Sequence, residues 1–150
     1  MAETTIESSF DDSGNQAFKI LAGFIFGKNQ PVIQQAAPEK IAMTAPVNQV
    51  KAASGYLVQF TMPKEFTLET LPVPVDPRVH IRLIPARKVA VYTYSGSWSE
   101  SRYQEKLKLF RAALQQDKIN TVGEPNFARY NSPFALWFLR RNEIWLELSL

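Results

Sequence analysis

The chain contains no cysteine among its 150 residues. Disulfides, thiolate catalysis, cysteine-ligated zinc and iron–sulfur clusters are therefore excluded. The longest uninterrupted apolar run, residues 20–26, is far shorter than the roughly 20 residues that cross a bilayer, so no membrane span is predicted. No basic stretch followed by an apolar core stands at the N-terminus, which predicts no secretory signal. A cytoplasmic location is the simplest expectation.

A large excess of charge of either sign is also missing. Seventeen basic and fourteen acidic residues give a net charge of +3, and these residues are scattered along the chain. The distribution predicts no nucleic-acid partner, because phosphate binding requires basic residues gathered on one surface. Hydrophobic residues make up 45% of the chain, as in ordinary soluble proteins. We expect a single domain over residues 1–150 that buries roughly 70% of its unfolded surface.

Residue types that commonly catalyse reactions are scarce. The only histidine, His80, falls in a predicted strand without the sequence context of a nucleophile elbow. Glu143 and Glu147 are four residues apart, which in a strand puts both on one face, and paired carboxylates can hydrolyse glycosides. Such spacing is also common by chance. The sequence therefore predicts a binding protein without a metal site, and a hydrolase is a weaker alternative.

Apolar periodicity predicts two strands and a helix in the second half of the chain. Alternation over residues 79–84 predicts a strand that ends at Pro85, and residues 89–94 predict another. Ser99 or Ser101 is expected to cap the helix that follows. The apolar positions of this helix are Tyr103, Leu107, Phe110 and Leu114.

The first half repeats this order. Residues 2–6 predict a strand, and Ser13 is a possible cap for a helix with apolar positions at Phe18, Leu21, Phe24 and Ile25. A shift of 89 positions places Phe18 on Leu107 and Ile25 on Leu114. Each half also ends in a predicted strand, at residues 56–62 and 143–150. We therefore predict a duplication, with repeat one over about 1–70, a proline-rich linker over 71–77 and repeat two over 78–150.

Two such repeats predict an α+β fold with pseudo-twofold symmetry. The duplicated strand–helix–strand units are expected to form an antiparallel, distorted β-barrel flanked by two helices. The first half lacks a counterpart to the strand at residues 79–84, which leaves an edge that must be covered or paired. The protein is accordingly expected to be a monomer or a homodimer that pairs through this edge.

Several dispersed segments resemble those of one protein family. Residues 40–47 and 140–148 resemble the signature segments of the SOUL/heme-binding protein family, and residues 71–76 resemble its proline-rich linker. Residues 91–96 and 129–133 also resemble family segments, in the same order along the chain. The resemblance implies a small barrel that binds heme or another porphyrin reversibly, for buffering or delivery. It also implies that the family's first N-terminal strand is missing here.

The resemblance implies a hydrophobic groove between the first helix, the segment around Met43 and the loop before Arg140 and Arg141. Its apolar lining would be Phe18, Leu21, Ala22, Ile25, Met43, Phe134, Leu136 and Trp137. Arg140 and Arg141 would meet the tetrapyrrole carboxylates, with Lys28, Lys40 and Arg129 as further basic candidates. In the alternative, the helix residues are core and the two arginines tie the loop to the barrel through Glu143 or backbone carbonyls.

Ligation of iron has little support in the sequence. The family histidine proposed to ligate heme lies near the first helix, where this chain has none, and His80 lies in the second half. Thioether or phenolate ligation would need a side chain placed at the iron. Binding is therefore expected to depend mainly on apolar contact.

A second binding function is suggested by GyrI-like effector-binding domains, which have a similar repeat architecture. Tyr92, Tyr94, Glu143 and Trp145 could form an acidic aromatic pocket for a cationic small molecule. The opposite arrangement is also open, since alternation along the last strand buries only one of its faces. In that arrangement the buried residues are Ile144, Leu146, Leu148 and Leu150, and the glutamates point to water.

Overall fold

The computed structural model describes residues 1–34 and 36–149. They form two α-helices, a short 3-10 helix at Trp137–Leu139 and nine strands, which are numbered in chain order. The elements are β1 Ala2–Ile6, α1 Phe10–Ile25, β2 Asn29–Gln30, β3 Val47–Lys51, β4 Tyr56–Phe60, β5 Val73–Pro74, β6 His80–Ile81, β7 Val89–Ser95, α2 Glu100–Gln116, β8 Thr121–Arg129 and β9 Arg141–Leu148. The predicted place of Leu150 on the last strand lies outside the described residues.

Seven strands form one antiparallel sheet in the order β6-β1-β4-β3-β8-β9-β7. The pair β3 and β8 joins the two halves of the chain at the centre of the sheet. Beside β3 lie β4 and β1 of the first half, with β6 of the second half at the edge, and beside β8 lie β9 and β7. Helix α1 follows β1, and helix α2 follows β7. The α+β class is confirmed, and the duplication that this order resembles stays a prediction.

The predicted barrel is wrong, because the sheet remains open. Within the described ranges, β6 at one edge pairs only with β1, and β7 at the other edge pairs only with β9. The expected strand over residues 79–84 is reduced to His80–Ile81, and Pro85 in the connection to β7 has no N–H to donate to a ladder. β6 pairs with Ala2 and Glu3 of β1, so the edge that we expected to need covering or pairing is paired over these two residues.

The N-cap of helix α1 lies four residues before Ser13, the cap that the sequence suggested. Ser9 is the N-cap, and its Oγ accepts a hydrogen bond of 3.2 Å from the Asp12 amide. Ser13 is buried inside the helix, where its hydroxyl donates to the Ser9 carbonyl at 2.6 Å. Asp11 and Asp12 lie in the first turn, where negative charge is favourable to the helix dipole.

Of the two predicted caps, Ser99 is the N-cap residue of helix α2 and Ser101 lies inside the helix, but Ser99 makes no side-chain capping bond. Instead the amide of Glu100 donates to the Asp11 carboxylate of α1 at 2.9 Å. One orphan donor of α2 is therefore satisfied by the other helix. The N-terminal turns of the two helices are joined directly as a result.

Two hydrophobic clusters lie between the helices and the sheet. The first packs α1 on β1 and β4 and includes Leu21, Ala17 and Ile25. The second packs α2 on β7, β8 and β9 and is mainly aromatic. Its buried members are Phe10, Tyr94, Tyr103, Leu107, Phe110, Leu114, Phe127, Ile144 and Leu146.

The proline-rich segment over residues 71–77 is packed against the first half. Leu71 and Pro72 are buried, and β5 pairs with β2 in a separate two-stranded sheet. This segment also donates to the chain after α1, since the Val75 amide bonds to the Lys28 carbonyl at 3.2 Å. It is therefore a fixed part of the fold.

Candidate functional site

A cavity of about 310 Å³ lies between α1, the segment before β3 and the loop after β8. This is near the lower end of the roughly 300–1,000 Å³ of ligand pockets. Its wall combines apolar or aromatic side chains with a few polar ones. The lining residues are Gly14, Asn15, Phe18, Lys19, Met43, Val47, Trp98, Arg129, Asn131 and Pro133.

Local structure explains how these side chains converge. Asn15, Phe18 and Lys19 lie three and four positions apart, so they share one face of α1. Met43 precedes Thr44, whose hydroxyl bonds to the carbonyl of Thr61 and holds this segment beside the end of β4. The cavity therefore has one helical wall and one wall anchored to the sheet.

Arg129, at the end of β8, brings a guanidinium into the cavity wall. Its Nη2 donates to Gln49 Oε1, while its buried Nε has no hydrogen-bond partner among residues 1–34 and 36–149. No carboxylate in those ranges forms an ion pair with it. Burial lowers the pKa of Arg129 to about 10, so the side chain still carries its charge at neutral pH.

Gly14 makes room for this guanidinium. A Cβ on Gly14 would collide with Arg129 Nη2 and would lie 2.8 Å from Arg129 Cζ, which is closer than a carbon can approach. Glycine in a helix interior destabilises by roughly 0.5–1 kcal/mol relative to alanine. The close approach of Arg129 gives a physical reason for a glycine inside α1.

Replacing Gly14 by alanine is expected to lower the free energy of unfolding by about 1–2 kcal/mol, because the buried guanidinium must move. Gly23→Ala is a matched control in the same helix, since its Cβ would meet only the flexible Lys28 side chain, at 3.2 Å. That control is expected to gain about 0.5–1 kcal/mol. Urea unfolding of both variants measures the difference. A stabilised Gly14→Ala protein would contradict the close packing of Arg129.

Trp98 also lines the cavity, and its ring lies close to two arginines. The guanidinium carbon of Arg140 lies 4.1 Å from the Trp98 ring centroid, and that of Arg129 lies 5.2 Å away. The indole Nε1 donates to Asn142 Oδ1 at 2.8 Å. These contacts fix an aromatic ring beside the cavity.

Arg140 and Arg141 make the structural contacts that we considered as an alternative. Arg140 donates to the carbonyls of Pro133 at 2.8 Å and Ala135 at 3.1 Å, which ties the loop to the start of β9. Arg141 donates through Nε to Glu143 Oε1 at 3.2 Å. Neither arginine lines the cavity.

Only part of the predicted apolar lining meets at the cavity. Phe18 and Met43 line it, whereas Leu21 and Ile25 are fully buried in the first core. Ala22 is buried as well. From the loop after β8, Asn131 and Pro133 line the cavity. The three loop residues predicted to line it are exposed and lie apart from it, namely Phe134, Leu136 and Trp137.

Glu143 occupies a closed polar cluster on the other face of β9. Its Oε2 accepts from the Tyr130 hydroxyl at 2.7 Å and from Trp145 Nε1 at 2.8 Å, and its Oε1 accepts from Arg141. Burial by itself would raise the pKa of Glu143, but the bonds from Trp145, Tyr130 and Arg141 hold that pKa below its usual value. Burial and the bond to Glu143 raise the pKa of Tyr130 to about 12.

The acidic aromatic pocket is not assembled. Thr93 is the residue paired with Glu143, whereas Tyr92 pairs with Ile144 and Tyr94 with Asn142. Because neighbouring residues of a strand point to opposite faces, both tyrosines lie on the face of the second core. Ile144 and Leu146 are buried there, as the alternative arrangement predicted, but Glu143 is buried in its own cluster and does not point to water.

The donors for a metal ion are few. No group of three or more histidine, aspartate or glutamate side chains that could hold a metal occurs within residues 1–34 and 36–149. His80 is exposed on β6, at one edge of the sheet. Among the residues that line the cavity, Met43 carries a thioether, a side chain that can ligate heme iron. The lining thus fits a flat apolar ring with an acidic group better than it fits a dedicated iron site.

Several cavity residues were missed by the sequence-based interpretation. Asn15 and Lys19 could have been found, because they flank Phe18 on the same face of α1. Trp98 and Gly14 gave no such signal, since their contacts with Arg129 join residues from distant parts of the chain. Val47 was likewise not anticipated.

One comparison with known proteins agrees with the segments noted in the sequence. No helix within the described ranges has the length and apolar character to cross a membrane. A search of curated proteins finds no match to this chain. The family described as SOUL heme-binding protein matches residues 1–147. Because this match spans nearly the whole chain, the protein belongs to the SOUL heme-binding protein family.

Proposed function

We propose that this protein reversibly binds heme or a related tetrapyrrole at the cavity, for buffering or delivery. The observation that carries the proposal is the charged Arg129 guanidinium, which lies in an apolar, aromatic wall without a carboxylate partner among the described residues. A buried charge without a partner destabilises a protein. A ligand carboxylate would supply the missing partner, and membership of a heme-binding family supports a porphyrin as its source.

The rest of the wall suits the apolar body of such a ligand. Phe18 and Trp98 offer aromatic surface, and the Met43 thioether adapts to irregular shapes. At about 310 Å³ the cavity is small for a drug-sized ligand. One edge of the macrocycle would therefore enter while the remainder stays at the open mouth. Partial burial of this kind favours release, which a buffering or delivery protein requires.

The proposed binding does not depend on iron. Lys19 lines the cavity as a second cation for a carboxylate, and Met43 is a weak candidate for iron. When bound, heme would supply its own redox chemistry, whereas the residues of this chain bind and orient the ligand. The function is accordingly proposed as binding without catalysis.

The decisive test is an absorbance titration with protoporphyrin and with its dimethyl ester, which has the same ring but no charged carboxylate. The protein is expected to bind the diacid about 10- to 100-fold more tightly, as a charged hydrogen bond worth about 1.5–3 kcal/mol implies. Arg129→Met should lose this preference while it retains its affinity for the ester. Arg87→Met is the matched control, since Arg87 pairs with Glu147 at the far end of β9.

Other results would reject the proposal. Failure of both porphyrins to bind at micromolar concentration would show that the family match describes the fold alone. If Arg87→Met lost the preference for the diacid to the same extent, the preference could not be assigned to Arg129. Hemin is expected to bind as tightly as the iron-free porphyrin, both to the unaltered protein and to His80→Ala. If His80→Ala lost affinity for hemin but not for the iron-free porphyrin, binding by apolar contact would be contradicted.

A further inference from the structure

The loop over residues 133–139 carries a continuous exposed apolar surface. Five large apolar side chains project from it, and every one of them exposes more than half of its surface. They are Phe134 at 97%, Leu136 at 58%, Trp137 at 61%, Phe138 at 52% and Leu139 at 65%. Soluble proteins seldom expose such a cluster unless it binds a partner or a membrane. We call these five residues the apolar tip.

The apolar tip is held in a defined shape. The Ala135 amide bonds to the Ser132 carbonyl at 3.0 Å, and the Leu139 amide bonds to the Leu136 carbonyl at 2.9 Å. Arg140 adds its two bonds to the carbonyls of Pro133 and Ala135. Because these bonds already order the backbone of the loop, the apolar tip would lose little conformational entropy when it binds another surface.

The charges at the base of the tip are predominantly positive. Residues 130–142 contain Arg140 and Arg141 but no acid. The Gly96 amide bonds to the Arg140 carbonyl, and Arg102 bonds to the neighbouring Ser95 carbonyl at 2.9 Å, which places a third arginine beside the same base. Glu143 offsets one of the three through its bond to Arg141. The net charge beside the tip is therefore positive.

We propose that the apolar tip docks this protein onto the surface of an anionic lipid bilayer. Aromatic and aliphatic side chains that enter the acyl boundary, together with arginines at headgroup level, are the combination that supports peripheral membrane binding. Trp137 and Phe138, whose rings pack edge to face at 5.6 Å, would enter together. Pro133 lies at the base of the loop and also lines the cavity, so docking would bring the cavity mouth close to the bilayer.

The test is flotation of the ligand-free protein with vesicles of phosphatidylcholine alone or mixed with phosphatidylglycerol. The protein is expected to float with the anionic vesicles and to bind the neutral ones more weakly. The double variant Phe134→Ser, Trp137→Ser should bind on the order of 10-fold less. A matched control, Leu83→Ser, Leu109→Ser, removes two exposed leucines elsewhere and should bind as the unaltered protein does.

Charge is tested separately with Arg102→Gln, which should lower binding to anionic vesicles a few-fold and weaken its salt dependence. Absence of flotation with anionic vesicles, or an equal loss in both double variants, would overturn the proposal. Dimerisation in light scattering that the tip variant abolishes, without vesicle binding, would assign the tip to self-association instead. Because no porphyrin is present, these outcomes are independent of the Arg129 test.

Discussion

Replacing Phe127 by alanine is expected to lower the free energy of unfolding by about 3–5 kcal/mol. Phe127 is fully buried, and its ring centroid lies 5.1 Å from that of Tyr103, 5.5 Å from that of Phe10 and 6.4 Å from that of Tyr94. Removal of the ring would leave a cavity at the centre of the aromatic cluster, which the surrounding rings cannot fill without leaving their own packing. Urea unfolding followed by circular dichroism measures the loss.

Phe134→Ala is the matched control for this substitution, because the same side chain is removed where it is 97% exposed. Its unfolding free energy is expected to stay within about 0.5 kcal/mol of the unaltered protein. Comparable losses in both variants would contradict the burial that distinguishes the two phenylalanines.

Replacing Glu143 by glutamine is expected to destabilise the protein by about 2–3 kcal/mol at pH 7. The carboxylate accepts hydrogen bonds from Tyr130, Trp145 and Arg141, and an amide group has only one accepting oxygen. At least one of these donors would therefore face another donor. Glu147→Gln, on the same face of β9 but partly exposed in a pair with Arg87, is expected to cost less than about 1 kcal/mol.

The effect of Glu143→Gln should also depend on pH. Hydrogen bonds hold the folded-state pKa of Glu143 below the ordinary value of 4.5. A lowered pKa contributes stability that is fully present above the unfolded-state pKa and is lost as the pH falls through the folded-state pKa. Urea unfolding between pH 7 and pH 3 should show the two proteins converging at the acidic end. A difference that does not change over this range would show that the charge of Glu143 contributes nothing.

The sequence predicted best those elements that have a clear apolar pattern. β1 and α2 begin where alternation and helical spacing placed them, and β7 follows its run of β-branched and aromatic residues. The sequences of β3 and β8 show no clear alternation of apolar residues, because these two strands bury polar side chains. Asn48, Gln49 and Asn126 are all buried at the junction of the two halves. Period-two patterning cannot reveal a strand whose inward residues are amides.

The candidate site was only partly predictable for a related reason. Phe18 and Met43 line the cavity as predicted from the resemblance, but the feature on which the proposed function depends is Arg129, which forms no ion pair within residues 1–34 and 36–149. Whether an arginine has a partner depends on contacts between distant segments, here with Gly14 and Gln49. Barrel closure failed as a prediction because it depends on how long β6 continues, and alternation alone overestimated that length.

The bond between Asp11 and the Glu100 amide has a consequence for cooperativity. Asp11 belongs to α1 of the first half, and so does Phe10, whose ring stacks on Tyr103 of α2 at 4.8 Å. Local opening of α1 would thus uncap α2 and remove a ring from the aromatic cluster at the same time. Segments that share contacts in this way exchange their amide hydrogens as one unit. The two halves of this protein are therefore expected to melt together, as a single foldon that spans the central pair of strands.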